Sequence, residues 1–165
     1  MKNGERTNHN LTGAAGEYYV CAELCKLGYL ALLTPKNNPL FDVIATSQDG
    51  SRTVSIQVKT RSVQNTQGWI MNDKMEDAVS SKGKFVVLVK LQQEGPPDFY
   101  IYERAVLAKR IEELYASWIE TRRKDGSAHS ETKIRQLHER RDFTESDKAR
   151  KNNWKPITSW LASEN

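Results

Sequence analysis

Apolar and polar positions repeat with two different periods along this chain. Residues 13–27 repeat apolar side chains at helical spacing, between a candidate N-cap at Thr12 and a candidate C-terminal glycine at Gly28. A second helical pattern covers residues 104–123. Residues 72–83 begin with acids and end at a glycine, which also predicts a helix.

Short runs that alternate apolar and polar residues, or that are continuously β-branched, predict strands between these helices. The predicted strands cover residues 29–34, 41–46, 53–61, 84–91 and 98–103. Together the helices and strands indicate an α/β fold with a mixed central β-sheet flanked by helices.

The chain divides by composition into two parts. Residues 1–121 carry the helix and strand patterns and form the expected core domain. Residues 122–165 are charged, with a weak helical pattern, and form an expected helical C-terminal extension. A small apolar cluster that includes Trp154 and Ile157 near the end of this extension predicts that it docks back on the core.

Composition narrows the class of protein. The chain has 165 residues, 38% hydrophobic and 28% charged, which is typical of a soluble globular protein. It has neither an apolar run of about 20 residues nor an apolar signal sequence, so we expect a cytoplasmic protein without a membrane partner. Cys21 and Cys25 are expected to be small buried side chains rather than half of a zinc site. The net charge of +4 is compatible with a nucleic-acid partner but does not establish one.

The first candidate functional residue lies on the first predicted helix. On a helical wheel, Glu17 falls in the middle of the apolar stripe that contains Val20 and Leu24. An unpaired carboxylate facing the sheet would be costly, so Glu17 needs a partner. A structural ion pair with Lys59 or Arg61 is one interpretation, and participation in a polar site is the other.

The predicted hairpin supplies three more candidates. A two-residue turn at Asp49 and Gly50 makes cross-strand partners sum to 99, so Asp42 opposes Gln57 on one face. Lys59 lies two residues further and projects from that same face. The opposite face carries only apolar residues of the two strands, which is ordinary core. A one-residue slip of the register would destroy this arrangement.

These polar groups suit the hydrolysis of a phosphodiester with the help of a metal. A carboxylate and an amide oxygen, completed by the Val58 carbonyl and water, are the hard donors that Mg²⁺ prefers, and Mn²⁺ can substitute. A lysine beside such an ion can orient the attacking water and offset charge on the phosphate. The predicted metal ligands are therefore Asp42, Gln57 and Val58 with Glu17 in support, and Lys59 is the predicted catalytic lysine.

The stretches GEYY, NPLFDVI and IQVKT resemble the PD-(D/E)XK nuclease superfamily. The resemblance covers roughly residues 13–107 and implies a restriction-endonuclease-like fold. It also implies that Asp42 and Gln57 hold the metal, that Lys59 is catalytic and that Glu17 is the acid of the first helix. Pro39 stands three residues before Asp42 rather than next to it, and Gln57 replaces the usual acid. This Q-x-K form is similar to some homing endonucleases and Holliday-junction-resolvase-like members.

The expected function is therefore a metal-dependent DNA endonuclease, acting on duplex or branched DNA, and a homodimer is expected for duplex cleavage. The alternative is a catalytically inactive nuclease-fold module that binds nucleic acid or a protein partner in a defence or regulatory system. A third possibility is the same chemistry on RNA or on a repair intermediate.

Overall fold

A computed structural model describes residues 9–35, 38, 40–76 and 82–162 of the chain. The described helices are α1 (His9–Lys26), α2 (Arg104–Glu120), α3 (Glu139–Asp142), α4 (Glu145–Lys148) and α5 (Lys155–Ala162). The strands are β1 (Leu30–Leu33), β2 (Val43–Thr46), β3 (Thr53–Arg61), β4 (Trp69–Asn72), β5 (Lys84–Lys90), β6 (Asp98–Glu103) and β7 (Ile134–Leu137). A 3-10 turn covers Asp73–Met75.

The centre of the molecule is a five-stranded mixed sheet in the order β1-β2-β3-β5-β6. The pairs β1/β2, β2/β3 and β5/β6 are antiparallel, and β3/β5 is parallel. Strands β4 and β7 form a separate antiparallel ribbon. The predicted mixed α/β fold, with helices flanking the sheet and a helical C-terminal segment, is confirmed. Among the described helices, none is both long and apolar enough to cross a membrane.

Strand β3 has one apolar and one polar face, because successive side chains point to opposite sides of the sheet. Val54, Ile56 and Val58 pack with Val20 and Leu24 of α1 in the first layer. The second layer covers the opposite face of the sheet, where α2 and the β4/β7 ribbon pack on β5 and β6. Gln57 and Lys59 alternate with the first-layer residues, so they belong to the α2 side of the sheet.

Helix α1 begins earlier than the sequence pattern predicts. It starts at His9, so the expected N-cap at Thr12 is wrong. The expected end is confirmed: Gly28 has φ +91°, and the amides of Gly28 and Tyr29 donate to the carbonyls of Cys25 and Leu24. This is a Schellman motif, which needs the left-handed conformation that glycine adopts without strain.

A close approach of α1 to β3 depends on a second glycine. A Cβ atom at Gly16 would lie 1.9 Å from the hydroxyl oxygen of Thr60 and 2.9 Å from its Cβ. Gly16 therefore sets the distance between helix and sheet at the end of β3 that follows Lys59. Gly13, one turn earlier, has nothing within 4 Å of the corresponding point.

The hairpin between β2 and β3 has the predicted register, with Val43 opposite Ile56 and Thr46 opposite Thr53. The turn is longer than predicted, because the last paired amide is that of Ser47, which donates to the Arg52 carbonyl. Asp49 stabilises the four-residue loop by accepting hydrogen bonds from its serine neighbours at 2.6–3.1 Å. The bond from the Ser47 hydroxyl, followed by those from Ser51, lowers the pKa of Asp49 to about 2.

The structure differs from the sequence pattern most in its second layer. The helix predicted over residues 72–83 is wrong at its start, where the end of β4 and the 3-10 turn lie, and residues 77–81 are outside the described part of the chain. Strand β7 lies in the segment for which a helix was expected. It carries Arg135, which is buried and bound to Glu76, and Leu137, which is fully buried.

Two carboxylates tie the segment after β7 to the body of the protein. Glu139 accepts hydrogen bonds from Lys90 and the Tyr100 hydroxyl at 3.0 and 2.9 Å and forms an ion pair with Arg61. Burial alone would raise the pKa of Glu139, but these hydrogen bonds and charges outweigh burial and lower its pKa. Asp147 accepts a hydrogen bond from the buried Tyr102 hydroxyl at 2.9 Å.

Helix α5 completes the first layer, as the apolar cluster near the end of the chain predicts. Ile157 and Leu161 are buried in that layer. The Trp154 ring lies 5.2 Å from the Phe99 ring, centroid to centroid, and Trp160 packs at the edge. These residues of the C-terminal segment thus pack against the first layer of the sheet.

We expect Gly16→Ala to destabilise the fold by about 1–3 kcal/mol, because the added methyl group forces α1 away from Thr60. Gly13→Ala is the matched control on the same helix, and it should be neutral or stabilising by up to about 1 kcal/mol. Urea unfolding followed by circular dichroism measures both. Equal midpoints for the two variants would contradict this account of the contact between α1 and β3.

The lowered pKa of Glu139 predicts a pH dependence of stability. A carboxylate with a lower pKa in the folded state contributes stability above its unfolded pKa, and this contribution is lost as the pH falls through the folded pKa. Glu139→Gln should therefore cost about 1–3 kcal/mol at neutral pH and progressively less below about pH 4. Urea unfolding at a series of pH values measures this, with the exposed Glu145→Gln as control. A Glu139→Gln penalty that does not change with pH would contradict it.

Candidate functional site

Strand β2 separates from β3 at Asp42. Val43 pairs with Ile56, and the amide of Asp42 also points at Ile56, donating to its carbonyl at 2.9 Å. Two residues on one strand thus oppose a single residue on the other, which is a β-bulge. The amide of Val58 donates instead to Oδ2 of Asp42 at 2.7 Å, so a side chain takes the place of the next backbone partner.

The bulge determines where the carboxylate of Asp42 lies. It is held at the peptide group that joins Gln57 to Val58, so the expected direct cross-strand pair of Asp42 and Gln57 is replaced by a contact with that peptide. The N–H and C=O of one strand residue point to the same edge of the strand, so the Val58 carbonyl also projects toward the Asp42 side. Within the described residues, the second oxygen of Asp42 accepts no hydrogen bond.

Gln57 is held by an arginine that no sequence pattern indicates. Nη1 of Arg104 donates to Oε1 of Gln57 at 2.8 Å, and Nη2 donates to the carbonyl of Lys74 at 2.6 Å. Arg104 is the first residue of α2, 47 positions after Gln57. Nothing in the periodicity of either segment links the two residues, and the contact follows from the packing of α2 on the sheet.

Lys59 lies two residues beyond Gln57 on the same face of β3, as predicted, and is half-buried. Within the described ranges, its ammonium group makes neither a hydrogen bond nor an ion pair. Asp42, Gln57 and Lys59 therefore occupy one short region, where β2 leaves β3.

Glu17 lies on the other side of the sheet. The buried stripe of α1 runs through Gly16, Val20 and Leu24, so its centre is rotated by about 60° from Glu17. The expectation that Glu17 faces the sheet at the centre of this stripe is wrong, and its side chain is half-buried at the flank. Desolvation first, then the charges of Cys25 and Glu17, raise the pKa of the Cys21 thiol to about 11. The expected burial of both cysteines is also wrong for Cys25, which is exposed.

The end of β3 is occupied by a structural cluster rather than by site residues. Arg61 pairs with Glu139, and its guanidinium lies 4.8 Å from the centroid of the Trp69 ring. This excludes Arg61 as the partner of Glu17. Trp69 is only 1% exposed and donates from Nε1 to the Val89 carbonyl at 3.0 Å, so it is a core residue and cannot stack on a base.

A pocket of about 320 Å³ lies beside Gln57. We call it the Gln57 pocket; it is lined by Leu40, Phe41, Ser55, Gln57, Asn72, Lys74, Met75, Lys84, Phe85 and Arg104. These lining residues include two lysines and an arginine but no carboxylate. No sequence pattern indicates these three cations as a group, because they come from three separate segments of the chain.

The candidate metal ligands are few. Across residues 9–35, 38, 40–76 and 82–162, no three His, Cys, Asp or Glu side chains come together as a possible metal site. A cation at Asp42 would therefore depend on the amide oxygen of Gln57 and the carbonyl of Val58. These are oxygen donors of the kind that Mg²⁺ accepts, although only Asp42 among the three carries a charge.

The fold has a solved counterpart. The structure of a bacterial homing endonuclease, I-Ssp6803I, is similar to this chain with a TM-score of 0.55, over 96% of this chain and 99% of that one. The two sequences are 13% identical, so the similarity establishes a shared fold. No family model and no curated protein matches the sequence.

Proposed function

We propose that this protein is a Mg²⁺-dependent DNA endonuclease that hydrolyses phosphodiester bonds. The observation that supports the proposal best is the bulge at Asp42, which holds a carboxylate at the Gln57–Val58 peptide with Lys59 next along the strand. A similar solved structure is that of a bacterial homing endonuclease, and the similarity covers 96% of this chain.

The proposed metal ligands are the free oxygen of Asp42, the amide oxygen of Gln57 and the carbonyl of Val58. When bound, Mg²⁺ would supply Lewis-acid activation of the phosphate and of the attacking water, and Mn²⁺ should substitute. Glu17 would add negative charge from the α1 side of the sheet. It would not contact a cation that is bound on the Gln57 side.

Lys59 has the role of orienting the attacking water and stabilising the charge that develops on the phosphate oxygens. Its ammonium is not engaged by any carboxylate of the described residues, so it is available to donate hydrogen bonds to substrate. Its position on the same face as Gln57 directs it to the side where the proposed ligands project.

The glutamine at position 57 should make the affinity for metal low. A neutral amide binds a hard divalent cation more weakly than a carboxylate does. Arg104 lies 2.8 Å from the same amide oxygen and adds a positive charge next to the proposed cation. We therefore expect cleavage to require a high concentration of Mg²⁺ or Mn²⁺.

The same contact favours a second candidate function. An amide oxygen that already accepts a hydrogen bond from Arg104, in a region with one nearby acid, also suits a nuclease-fold module that has lost metal binding. Such a module would bind nucleic acid, or a protein partner in a defence or regulatory system, without cleaving.

In the enzymatic case, cutting both strands of a duplex needs two sites, and we propose a homodimer to supply them.

Substitutions at Asp42 and Lys59 test the catalytic proposal. Asp42→Asn keeps an oxygen that can accept the Val58 hydrogen bond but removes the charge, and Lys59→Ala removes the ammonium. Each should reduce cleavage of plasmid, linear or branched DNA in Mg²⁺ or Mn²⁺ by about 10²-fold or more. Thermal unfolding should show that both variants remain folded.

The control for these substitutions is Lys109→Ala, which removes an equally charged but 78% exposed side chain from α2. It should cleave like the wild type. A folded Lys59→Ala variant with full activity would rule out the assigned role of Lys59. Wild-type protein that binds DNA but cleaves none of these substrates in either metal would support the inactive module.

Gln57→Glu should tighten the binding of Mn²⁺ roughly tenfold, because it adds one charge to the ligand set. Gln67→Glu, in an exposed loop, adds the same charge away from the site and should leave the affinity unchanged. Titration of free Mn²⁺ by electron paramagnetic resonance measures both. Equal Mn²⁺ affinities for the two variants would argue against a cation site at Gln57.

A further inference from the structure

We propose that the Gln57 pocket binds a backbone phosphate of the nucleic acid, next to the phosphate that is cleaved. The inference rests on the proposed function only in placing this phosphate beside one that is cleaved. The pocket and its charges do not depend on any catalytic step. The ligand class is a phosphodiester within a polynucleotide strand, held through its charge and not through its base.

The charges of the pocket come from three sides. Lys84 is paired with Ser55 across the parallel strands, so it projects from the same face as Gln57. Arg104 closes the pocket from α2, and Lys74 comes from the 3-10 turn. Three cations that converge on one cavity, with no carboxylate among its described lining residues, form a site of positive potential, which suits a phosphate.

The acids closest in sequence do not neutralise this pocket. Glu103 precedes Arg104, but it pairs with Phe85 in the sheet, so it projects from the opposite, first-layer face. Asp73 precedes Lys74, and its carboxylate accepts the backbone amide of Lys74 at 3.0 Å instead of lining the cavity. Within the described residues, neither Lys74 nor Lys84 forms an ion pair.

The position of the pocket indicates a polymer rather than a small anion. Ser55 and Gln57 are two residues apart on β3, a distance of about 7 Å along the strand. The pocket is therefore displaced along β3 from the Gln57–Val58 peptide that holds Asp42, on the Ser55 side, by an amount on the scale of one nucleotide step. A strand whose cleaved phosphate lies at a cation beside Asp42 would place a neighbouring phosphate near Lys84.

Binding without catalysis tests the pocket. The wild type, Lys74→Ala, Lys84→Ala and the exposed control Lys109→Ala are titrated with a short fluorescein-labelled DNA duplex in EDTA, by fluorescence anisotropy at several salt concentrations. Lys74→Ala keeps the backbone carbonyl that accepts from Arg104. Each pocket variant should weaken binding by about threefold to tenfold and reduce the slope of log Kd against log salt by about one. Lys109→Ala should change neither.

If the wild type cleaves, a second duplex tests the location. A neutral methylphosphonate beside the mapped cleavage position should abolish the penalty of Lys84→Ala, because the charge that Lys84 contacts is then absent. An unchanged penalty on every such duplex would overturn the assignment to a neighbouring phosphate.

The outcomes separate this inference from the proposed function. Pocket variants that bind like Lys109→Ala overturn the pocket even when the wild type cleaves DNA. Pocket variants that bind weakly while the wild type cleaves nothing support the pocket and overturn the endonuclease. Wild-type protein that does not bind the duplex at all overturns both.

Discussion

The hydrogen bond from the Val58 amide to the Asp42 carboxylate is the constraint on which the candidate site depends. At this point β2 must leave β3, and the departure would leave a strand amide without its backbone acceptor. An aspartate supplies that acceptor, and in doing so it fixes one carboxylate at the edge of β3. The polar groups are therefore positioned by a structural requirement of the sheet, before any ligand is considered.

The two layers on either side of the sheet differ in their polarity. The α1 layer is apolar and closely packed, and at Gly16 the helix approaches β3 as near as an absent side chain allows. The α2 side is apolar under β5 and β6 but carries Gln57, Lys59 and Arg104 on and above β3. The proposed site lies where the second layer leaves part of β3 uncovered.

Much of this fold was predictable because its strands have clear local patterns. The hairpin register followed from the alternation around Asp49 and Gly50, even though the turn proved longer. The β4/β7 ribbon was not predictable, because β7 has four residues and buries an arginine whose partner, Glu76, is 59 positions away. Lys59 was predictable from its spacing to Gln57 on one strand. The contact of Arg104 with Gln57 was not, because it depends on the packing of α2 on the sheet. The helical wheel misplaces Glu17 because it counts Cys25 in the buried stripe, whereas Cys25 is exposed.

The position of β7 and α5 has a consequence for the order of folding. Leu137 belongs to one hydrophobic layer, and Ile157 and Leu161 belong to the other, so neither layer is complete until late residues arrive. During synthesis, the central sheet would emerge with apolar surface exposed on both faces. Its long-range contacts also slow the search for the native state. This protein should thus depend on chaperone protection while it is made, more than its modest size suggests.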